Sequence, residues 1–119
     1  LGEQAPRRCQ VNWFRKGADG RFLWPGFGEN SRVIDWIVRR VEGDVTGRES
    51  AGGTLPLAGE LNLDGIDVPA ADLDELFSIV PSSWLAEADL TEEFFAQFGD
   101  RLPAALTEQL ANLRARLSA

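Results

Sequence analysis

An aromatic-rich stretch between Val11 and Trp36 carries the residue types best suited to holding a planar ligand. It contains three of the 4 tryptophans, three of the 7 phenylalanines and the single lysine of the chain. A purine base stacked on aromatic side chains gains about 1–3 kcal/mol per contact, whichever purine is present. The stretch therefore predicts a purine-binding surface, with ordinary core packing of the same rings as the alternative.

The segment Gly26–Asn30 carries groups that distinguish guanine from adenine. Guanine presents an acceptor at O6 and donors at N1 and N2, and adenine presents the opposite pattern at the corresponding edge. Backbone N–H groups at a helix start can donate to O6, and the side-chain carbonyl of Asn30 can accept from N1 or N2. Adenine would leave such buried groups wrongly paired, at about 1–3 kcal/mol each. The segment therefore predicts a preference for guanine.

Other kinds of site find little support in the sequence. Gly26-x-Gly28 lacks the third glycine of a dinucleotide fingerprint, and no G-x-x-x-x-G-K-[ST] sequence offers a triphosphate cradle. The chain has no histidine, which excludes His-ligated metals and His-based catalytic pairs within it. Cys9 is the single cysteine, cannot form an internal disulfide, and is expected to be a small buried apolar residue.

Charge is unevenly distributed around the net value of -7. Residues 1–48 carry nine Lys/Arg against six Asp/Glu, and residues 49–119 carry three against thirteen. An acidic chain is poorly suited to wide nucleic-acid contacts, while the mildly basic front favours a small anion such as a nucleotide. No apolar run approaches the roughly 18–20 residues needed to cross a bilayer. Neither a nucleic-acid nor a membrane partner is therefore predicted.

A hairpin must position the first two rings. Cys9–Arg15 and Arg21–Trp24 read as strands, joined by a three-residue loop, 18–20, that ends on Gly20 in the left-handed conformation. Gly17 then pairs with Arg21. This register places four side chains on one side of the hairpin: Lys16 opposite Phe22, and Phe14 opposite Trp24.

Helices are predicted for most of the remaining chain. Asn30 or Ser31 is expected to cap a helix that runs to about Val41 and ends at Gly43. A loop over 44–59 and a short extended piece over 60–68 follow. Three further helices are expected at 70–79, 82–98 (with a possible break near Asp89) and 103–117. The buried face of the helix that ends near Val41 is expected to comprise Val33, Ile34, Ile37, Val38 and Val41. The apolar stripe of the helix at 103–117 is expected to comprise Leu106, Leu110, Leu113 and Leu117.

The remaining side chains of the second half have a simple structural interpretation. Its large apolar residues are expected in the core: Leu73, Leu76, Phe77, Trp84, Phe94, Phe95 and Phe98. Its acidic residues are expected on solvated faces: Asp72, Asp74, Glu75, Glu92 and Glu93. Paired carboxylates alone do not make an acid–base site.

The sequence VNWFRKGADGRFLWPGFGENSRV, residues 11–33, closely resembles a stretch near the C-terminus of GTP-dependent phosphoenolpyruvate carboxykinases. The resemblance continues more loosely through LPLAGELNLDGIDV, DLDELFSI and the final leucine helix, so it covers essentially the whole chain. It implies an α/β fold in which residues 1–119 are the C-terminal part of the nucleotide-binding lobe. That part is a β-hairpin and helix start at 11–41, a loop at 44–59 and a helical tail at 70–117.

The resemblance also implies an activity for the intact parent. The family is a lyase that converts oxaloacetate and GTP to phosphoenolpyruvate, GDP and carbon dioxide in gluconeogenesis, with Mn²⁺ and Mg²⁺. A cytoplasmic monomer is implied. The phosphate loop, the metal ligands, the oxaloacetate-binding arginines and the lid of the family all precede the matched segment. No catalytic residue and no metal ligand are therefore expected in this chain, whose main partners would be GTP/GDP and the rest of the parent polypeptide.

The resemblance places the guanine pocket on six residues. It implies that Phe14, Phe22 and Phe27 line the pocket. It further implies that Phe27, Gly28, Glu29 and Asn30 contact the base, with Asn30 giving guanine preference. One departure from the family is Cys9, where an aromatic residue is common. A stand-alone, non-catalytic nucleotide-binding or interaction module is the alternative to a carboxykinase segment.

Overall fold

The computed structural model describes residues 5–119, which form a two-stranded sheet and four α-helices. The helices are α1 (Asn30–Glu42), α2 (Ala70–Leu76), α3 (Pro81–Ala96) and α4 (Ala104–Ser118), and the strands are β1 (Arg48–Ser50) and β2 (Gly53–Leu55). Short 3₁₀ turns lie at Phe27–Glu29 and Gly99–Arg101. The predicted class, an α/β chain with a hairpin and mainly helical segments, is confirmed.

The hairpin of regular strands lies where a loop was predicted. β1 and β2 pair within residues 44–59, joined by a tight turn in which the Ser50 hydroxyl donates to the carbonyl of Gly53 at 2.6 Å. The Gly-Gly pair at 52 and 53 lies at this turn, where Gly53 adopts a φ of 122° that a residue with a β-carbon rarely adopts.

The chain divides into two units. The first comprises the described residues up to Arg48 together with Thr54–Ser78, and the second comprises Glu49–Gly53 with Ile79–Ala119. Buried apolar side chains of the first unit are Leu23, Trp24, Trp36 and Leu61. Those of the second are Ala88, Leu110 and Leu117, at the packing of α3 against α4.

α1 ends where the sequence predicts but buries a different face. Gly43 has a φ of 92°, and its N–H and that of Asp44 both donate to the carbonyl of Arg39, which closes the helix. Trp36 is the buried residue, whereas Ile34, Val38 and Val41 are about half exposed. The expected buried face is therefore wrong for this chain. Two residues advance a helix by about 200°, so packing Trp36 inward turns Ile34 and Val38 outward.

The other helices depart from their predicted bounds in small ways. α2 ends at Leu76 rather than Ile79, and α3 begins with Pro81 in its first turn and runs through Asp89 unbroken. In the stripe of α4, Leu110 and Leu117 are buried but Leu106 is exposed. Within residues 5–119, no helix has both the length and the apolar character that a membrane crossing demands.

The predicted burial or exposure of four further side chains is wrong. Cys9 is exposed, as are all of residues 5–12, because nothing in the described chain packs on this segment. Phe94 and Phe98 pack edge to face with each other at 5.3 Å between ring centroids, but both remain exposed. Asp72, expected on a solvated face, is 9% exposed because Arg21 reaches it with two guanidinium nitrogens at 2.8 and 3.3 Å.

Candidate nucleotide-binding site

The turn that carries the first rings has the predicted register. The N–H of Gly17 donates to the carbonyl of Arg21, and the N–H of Leu23 donates to the carbonyl of Arg15, both at 3.0 Å. Gly20 has a φ of 78°, as a three-residue loop closing on a left-handed glycine requires. The predicted pairing of Gly17 with Arg21 is therefore confirmed.

The predicted strands on either side of this turn do not form. The described residues show a single bridge here, between Lys16 and Phe22, in place of strands over 9–15 and 21–24. On the first side, the Asn12 side chain accepts a hydrogen bond from the N–H of Phe14 at 3.0 Å. Such a local turn competes with a ladder for the backbone. On the second side, Pro25 has no N–H to donate.

Phe14, Phe22 and Lys16 form one cluster on the surface. The two rings meet edge to face, with centroids 6.2 Å apart and planes at 62°, so they share one side of the turn as predicted. The Lys16 ammonium lies 5.0 Å from the centroid of Phe22. Phe14 is 73% exposed and Phe22 49%. Trp24, expected beside them, is buried, because the chain bends away after the bridge.

Phe27 projects its ring almost completely into solvent. It is 94% exposed and has a φ of 49°, between Gly26 at a φ of 75° and Gly28. A left-handed conformation costs a residue with a β-carbon about 1–2 kcal/mol. Strain of this kind is common where a backbone is held in place for a ligand. The turn thus presents an unpacked aromatic ring directly before α1.

Asn30 begins α1 but does not cap it. Its side-chain oxygen accepts a hydrogen bond from the indole N–H of Trp24 at 2.9 Å, and no side chain caps the helix. Ser31 instead donates its hydroxyl proton to the carbonyl of Gly28 at 2.7 Å. The predicted capping role of Asn30 or Ser31 is therefore wrong. The amide oxygen of Asn30, a half-buried residue, is thus used by the indole of Trp24 and not by the backbone N–H groups of the helix start.

Glu29 is held by a network centred on Arg32. The guanidinium of Arg32 pairs with the Glu29 carboxylate and donates to the carbonyls of Asn62 and Asp64 at 2.8 and 2.9 Å. This network ties the turn before α1 to the segment that follows Leu61. A shallow cleft of about 560 Å³ opens here, lined by Gly28, Glu29, Ser31, Arg32, Asp35 and Asn62.

The structure brings some of the six predicted site residues together, and the others are their neighbours in the chain. Phe14 contacts Phe22, Gly28 and Glu29 line the cleft, and Phe27 and Asn30 flank them in the chain. Sequence reasoning missed the roles of Trp24 and Arg32. An indole six residues before an asparagine gives no signal of a hydrogen bond between them, and neither does an arginine thirty residues before its carbonyl partners.

Two arginines fix the turn that holds the rings. The guanidinium of Arg15 donates to the carbonyls of Leu76 and Ser78 at 2.9 and 3.2 Å. Arg21 pairs with Asp72 on α2, and hydrogen bonding to this carboxylate raises the pKa of Arg21. One ion pair, Arg21 with Asp72, therefore joins the basic first part of the sequence to the acidic second part, and Arg15 binds backbone carbonyls at the end of α2.

The metal ions implied by the family have no ligand set in this part of the chain. In residues 5–119, no three Asp, Glu or Cys side chains are grouped so that they could hold an ion. The residues described here do not fit the role of metal ligands.

Comparison with known proteins assigns the chain to a class and then to a family. Residues 1–116 match the family model described as "Phosphoenolpyruvate carboxykinase C-terminal P-loop domain", so the segment is a piece of a P-loop domain. The chain belongs to the GTP-dependent phosphoenolpyruvate carboxykinase family.

Similar proteins in three organisms are each named "Phosphoenolpyruvate carboxykinase [GTP]". Identity is 42% over 118 residues with the protein of Corynebacterium glutamicum and 41% over 115 residues with that of Paenarthrobacter aurescens. It is 45% over 115 residues with that of Neocallimastix frontalis. These alignments cover 99%, 97% and 96% of this chain but only 19% of each relative. The chain therefore spans about one fifth of the length of these relatives.

Proposed function

We propose that this chain supplies the guanine-binding surface of a GTP-dependent phosphoenolpyruvate carboxykinase. The intact parent would convert oxaloacetate and GTP to phosphoenolpyruvate, GDP and carbon dioxide, as a gluconeogenic lyase of the cytoplasm. The observation that carries the proposal is the exposure of three phenylalanine rings, Phe14, Phe22 and Phe27, of which Phe27 lies in the turn directly before α1. Because the chain belongs to the GTP-dependent carboxykinase family, we propose GTP as the ligand of this surface.

The exposed rings support stacking rather than core packing. Full burial of a large apolar side chain is favourable by about 1.5–3 kcal/mol. Rings that are exposed in the free protein can therefore contribute free energy to the binding of a ligand that covers them. Phe14 and Phe22 hold each other edge to face, and Lys16 lies over Phe22. A purine that covers these rings would gain stacking without displacing any core side chain.

Asn30 supports selection at the base edge. Its carbonyl oxygen has two lone pairs, of which Trp24 uses one, and its amide nitrogen carries two N–H donors. The remaining groups of Asn30 are therefore available to read guanine. Phosphate binding, divalent metal binding and oxaloacetate binding are proposed for the rest of the parent polypeptide, because the resemblance places the phosphate loop, the metal ligands and the oxaloacetate-binding arginines of the family before the matched segment.

Replacement of Asn30 by alanine tests the proposal in the full-length polypeptide. We expect Asn30→Ala to weaken GTP by about ten- to a hundredfold, since one or two hydrogen bonds to the base would be lost. Pyrophosphate, which has no base, should bind within about twofold of the unchanged protein. Titration of both ligands measures the two effects.

An exposed asparagine provides the matched control. Asn112→Ala on α4 should leave the affinities for GTP and pyrophosphate unchanged. Equal losses for GTP and pyrophosphate in Asn30→Ala would count against a role of Asn30 at the base.

A further inference from the structure

We infer that Trp24 is a positioning residue for nucleotide specificity, which fixes the orientation of the Asn30 side-chain amide. The inference rests on the proposed function and assigns a role to a residue outside the six predicted for the site. Trp24 would act only through Asn30. The resulting arrangement makes the Asn30 NH₂ group, rather than its carbonyl, the part that reads the purine.

The hydrogen bond between the two residues has one possible polarity. An indole N–H is a donor with no acceptor capacity, so the atom that faces it at 2.9 Å must be the oxygen of the Asn30 amide. Trp24 is 5% exposed and therefore has little freedom to move its N–H. The Asn30 carbonyl is thus directed at a fixed donor in the protein interior.

Orientation of the oxygen determines orientation of the nitrogen. The amide group is planar, and its oxygen and nitrogen lie on opposite sides of the Cγ atom. With the oxygen held by Trp24, the NH₂ group points away from the indole, and it donates to no side chain or backbone group of residues 5–119. Two N–H donors are thereby presented at the first residue of α1.

This arrangement distinguishes purines by the substituent at position 6. Guanine and hypoxanthine carry an oxygen there, which accepts from NH₂, whereas adenine carries an amino group, which opposes it. Without the indole N–H, the amide could turn over and present its carbonyl, to which the adenine amino group can donate. Trp24 would therefore exclude ATP by preventing a flip of Asn30.

The first test is Trp24→Phe in the full-length polypeptide, because phenylalanine keeps an aromatic side chain and removes the N–H donor. We expect the ratio of kcat/KM for GTP to kcat/KM for ATP to fall about tenfold, the value of one hydrogen bond. ITP should follow GTP, and pyrophosphate affinity should change less than twofold. Trp84→Phe on α3, in the second unit, is the matched control and should leave these ratios unchanged.

A double-variant cycle tests whether Trp24 acts through Asn30. In the Asn30→Ala background, Trp24→Phe should change the GTP-to-ATP ratio by less than twofold. A further tenfold fall would overturn the inference. A uniform loss for GTP, ITP, ATP and pyrophosphate in Trp24→Phe would also overturn it, because that pattern indicates damaged packing.

Asn30→Asp tests the orientation without changing the tryptophan. Its carboxylate still accepts from the indole but presents an oxygen where the NH₂ group was, so GTP and ITP should both weaken more than in Asn30→Ala. Tighter GTP binding than in Asn30→Ala would show that the carbonyl reads guanine and would overturn the inference.

The same experiments separate two failures. If Asn30→Ala leaves the GTP-to-ATP ratio unchanged, Asn30 does not read the base, and the base-selection part of the proposed function fails with the inference. If Asn30→Ala abolishes the preference while Trp24→Phe preserves it, only the positioning role of Trp24 is overturned.

Discussion

Separated from the rest of its parent, the 119-residue chain is expected to unfold in a broad transition below the range of about 45–65 °C typical of mesophilic domains. Its described residues contain seven buried apolar side chains and no large side chain that is fully buried. Ordering each residue costs about 1–2 kcal/mol of backbone entropy, and a small core offsets this poorly. Calorimetry of the isolated chain tests this, and a sharp cooperative transition well above room temperature would contradict it.

Two exposed apolar stripes explain why the isolated chain should be marginal. One lies along α1 and comprises Ile34, Val38 and Val41. The other runs along the last turns of α3 and just beyond its end, and comprises Leu90, Phe94 and Phe98. The relatives are about five times longer than the part that this chain matches. We expect the remaining polypeptide of the parent to cover the α1 stripe.

A pair of substitutions on α1 measures that coverage. Ile34→Ser and Val38→Ser should destabilise the full-length protein by about 1.5–3 kcal/mol each, the cost of losing a buried aliphatic side chain. In the isolated chain, where both positions are half exposed, the same changes should be close to neutral. Equal effects in the two contexts would show that α1 stays uncovered in the parent.

Glu60→Gln is expected to loosen the first unit strongly at neutral pH. One carboxylate oxygen of Glu60 accepts from the N–H groups of Thr46 and Gly47, at 3.2 and 3.1 Å. The other accepts from the N–H of Leu57 and the indole of Trp36, both at 2.9 Å. Glutamine has one oxygen and one NH₂ group, so two of these four donors would face another donor.

The contribution of Glu60 should disappear in acid. The N–H of Leu57, with those of Trp36, Gly47 and Thr46, lowers the pKa of Glu60 to about 2. Because this folded value lies below the unfolded value of about 4.3, the stabilisation is complete above that value. It is then lost as the pH falls from about 4.3 toward 2.

Urea unfolding of the full-length protein, followed by tryptophan fluorescence, measures this effect. The difference in midpoint between the unchanged protein and Glu60→Gln should be largest near pH 7 and should shrink below pH 4. Glu42→Gln, at the exposed end of α1, is the matched control and should shift the midpoint little at any pH. A Glu60→Gln difference that grows in acid would contradict the assignment.

The parts of the fold that depend on local chemistry were predictable. The 18–20 loop, the pairing of Gly17 with Arg21 and the end of α1 at Gly43 follow from glycine conformation and residue counting. The burial of Asp72 was not predictable, since its partner Arg21 is 51 residues away. The strands at 48–55 were missed because three-residue strands carry too few side chains to show an alternating pattern.

The candidate site divides in the same way. The phenylalanines and the start of α1 could be found from residue type and from the resemblance. The burial and the hydrogen-bond partners of the side chains around them could not. Trp36, which α1 buries in place of its aliphatic stripe, donates to the Glu60 carboxylate 24 residues later in the chain, a partner that the periodicity of α1 does not reveal. The use of the Asn30 carbonyl by Trp24 likewise depends on how the turn folds back, which periodicity does not encode.

The exposure of Phe14, Phe22 and Phe27 has a calorimetric consequence. Water around three apolar rings raises the heat capacity of the free protein, and a base that covers them releases that water. Nucleotide binding would then carry a negative heat-capacity change, so its enthalpy would become more favourable on warming. A phosphate ligand without a base would leave the rings exposed to water, so its binding would lack this negative heat-capacity change.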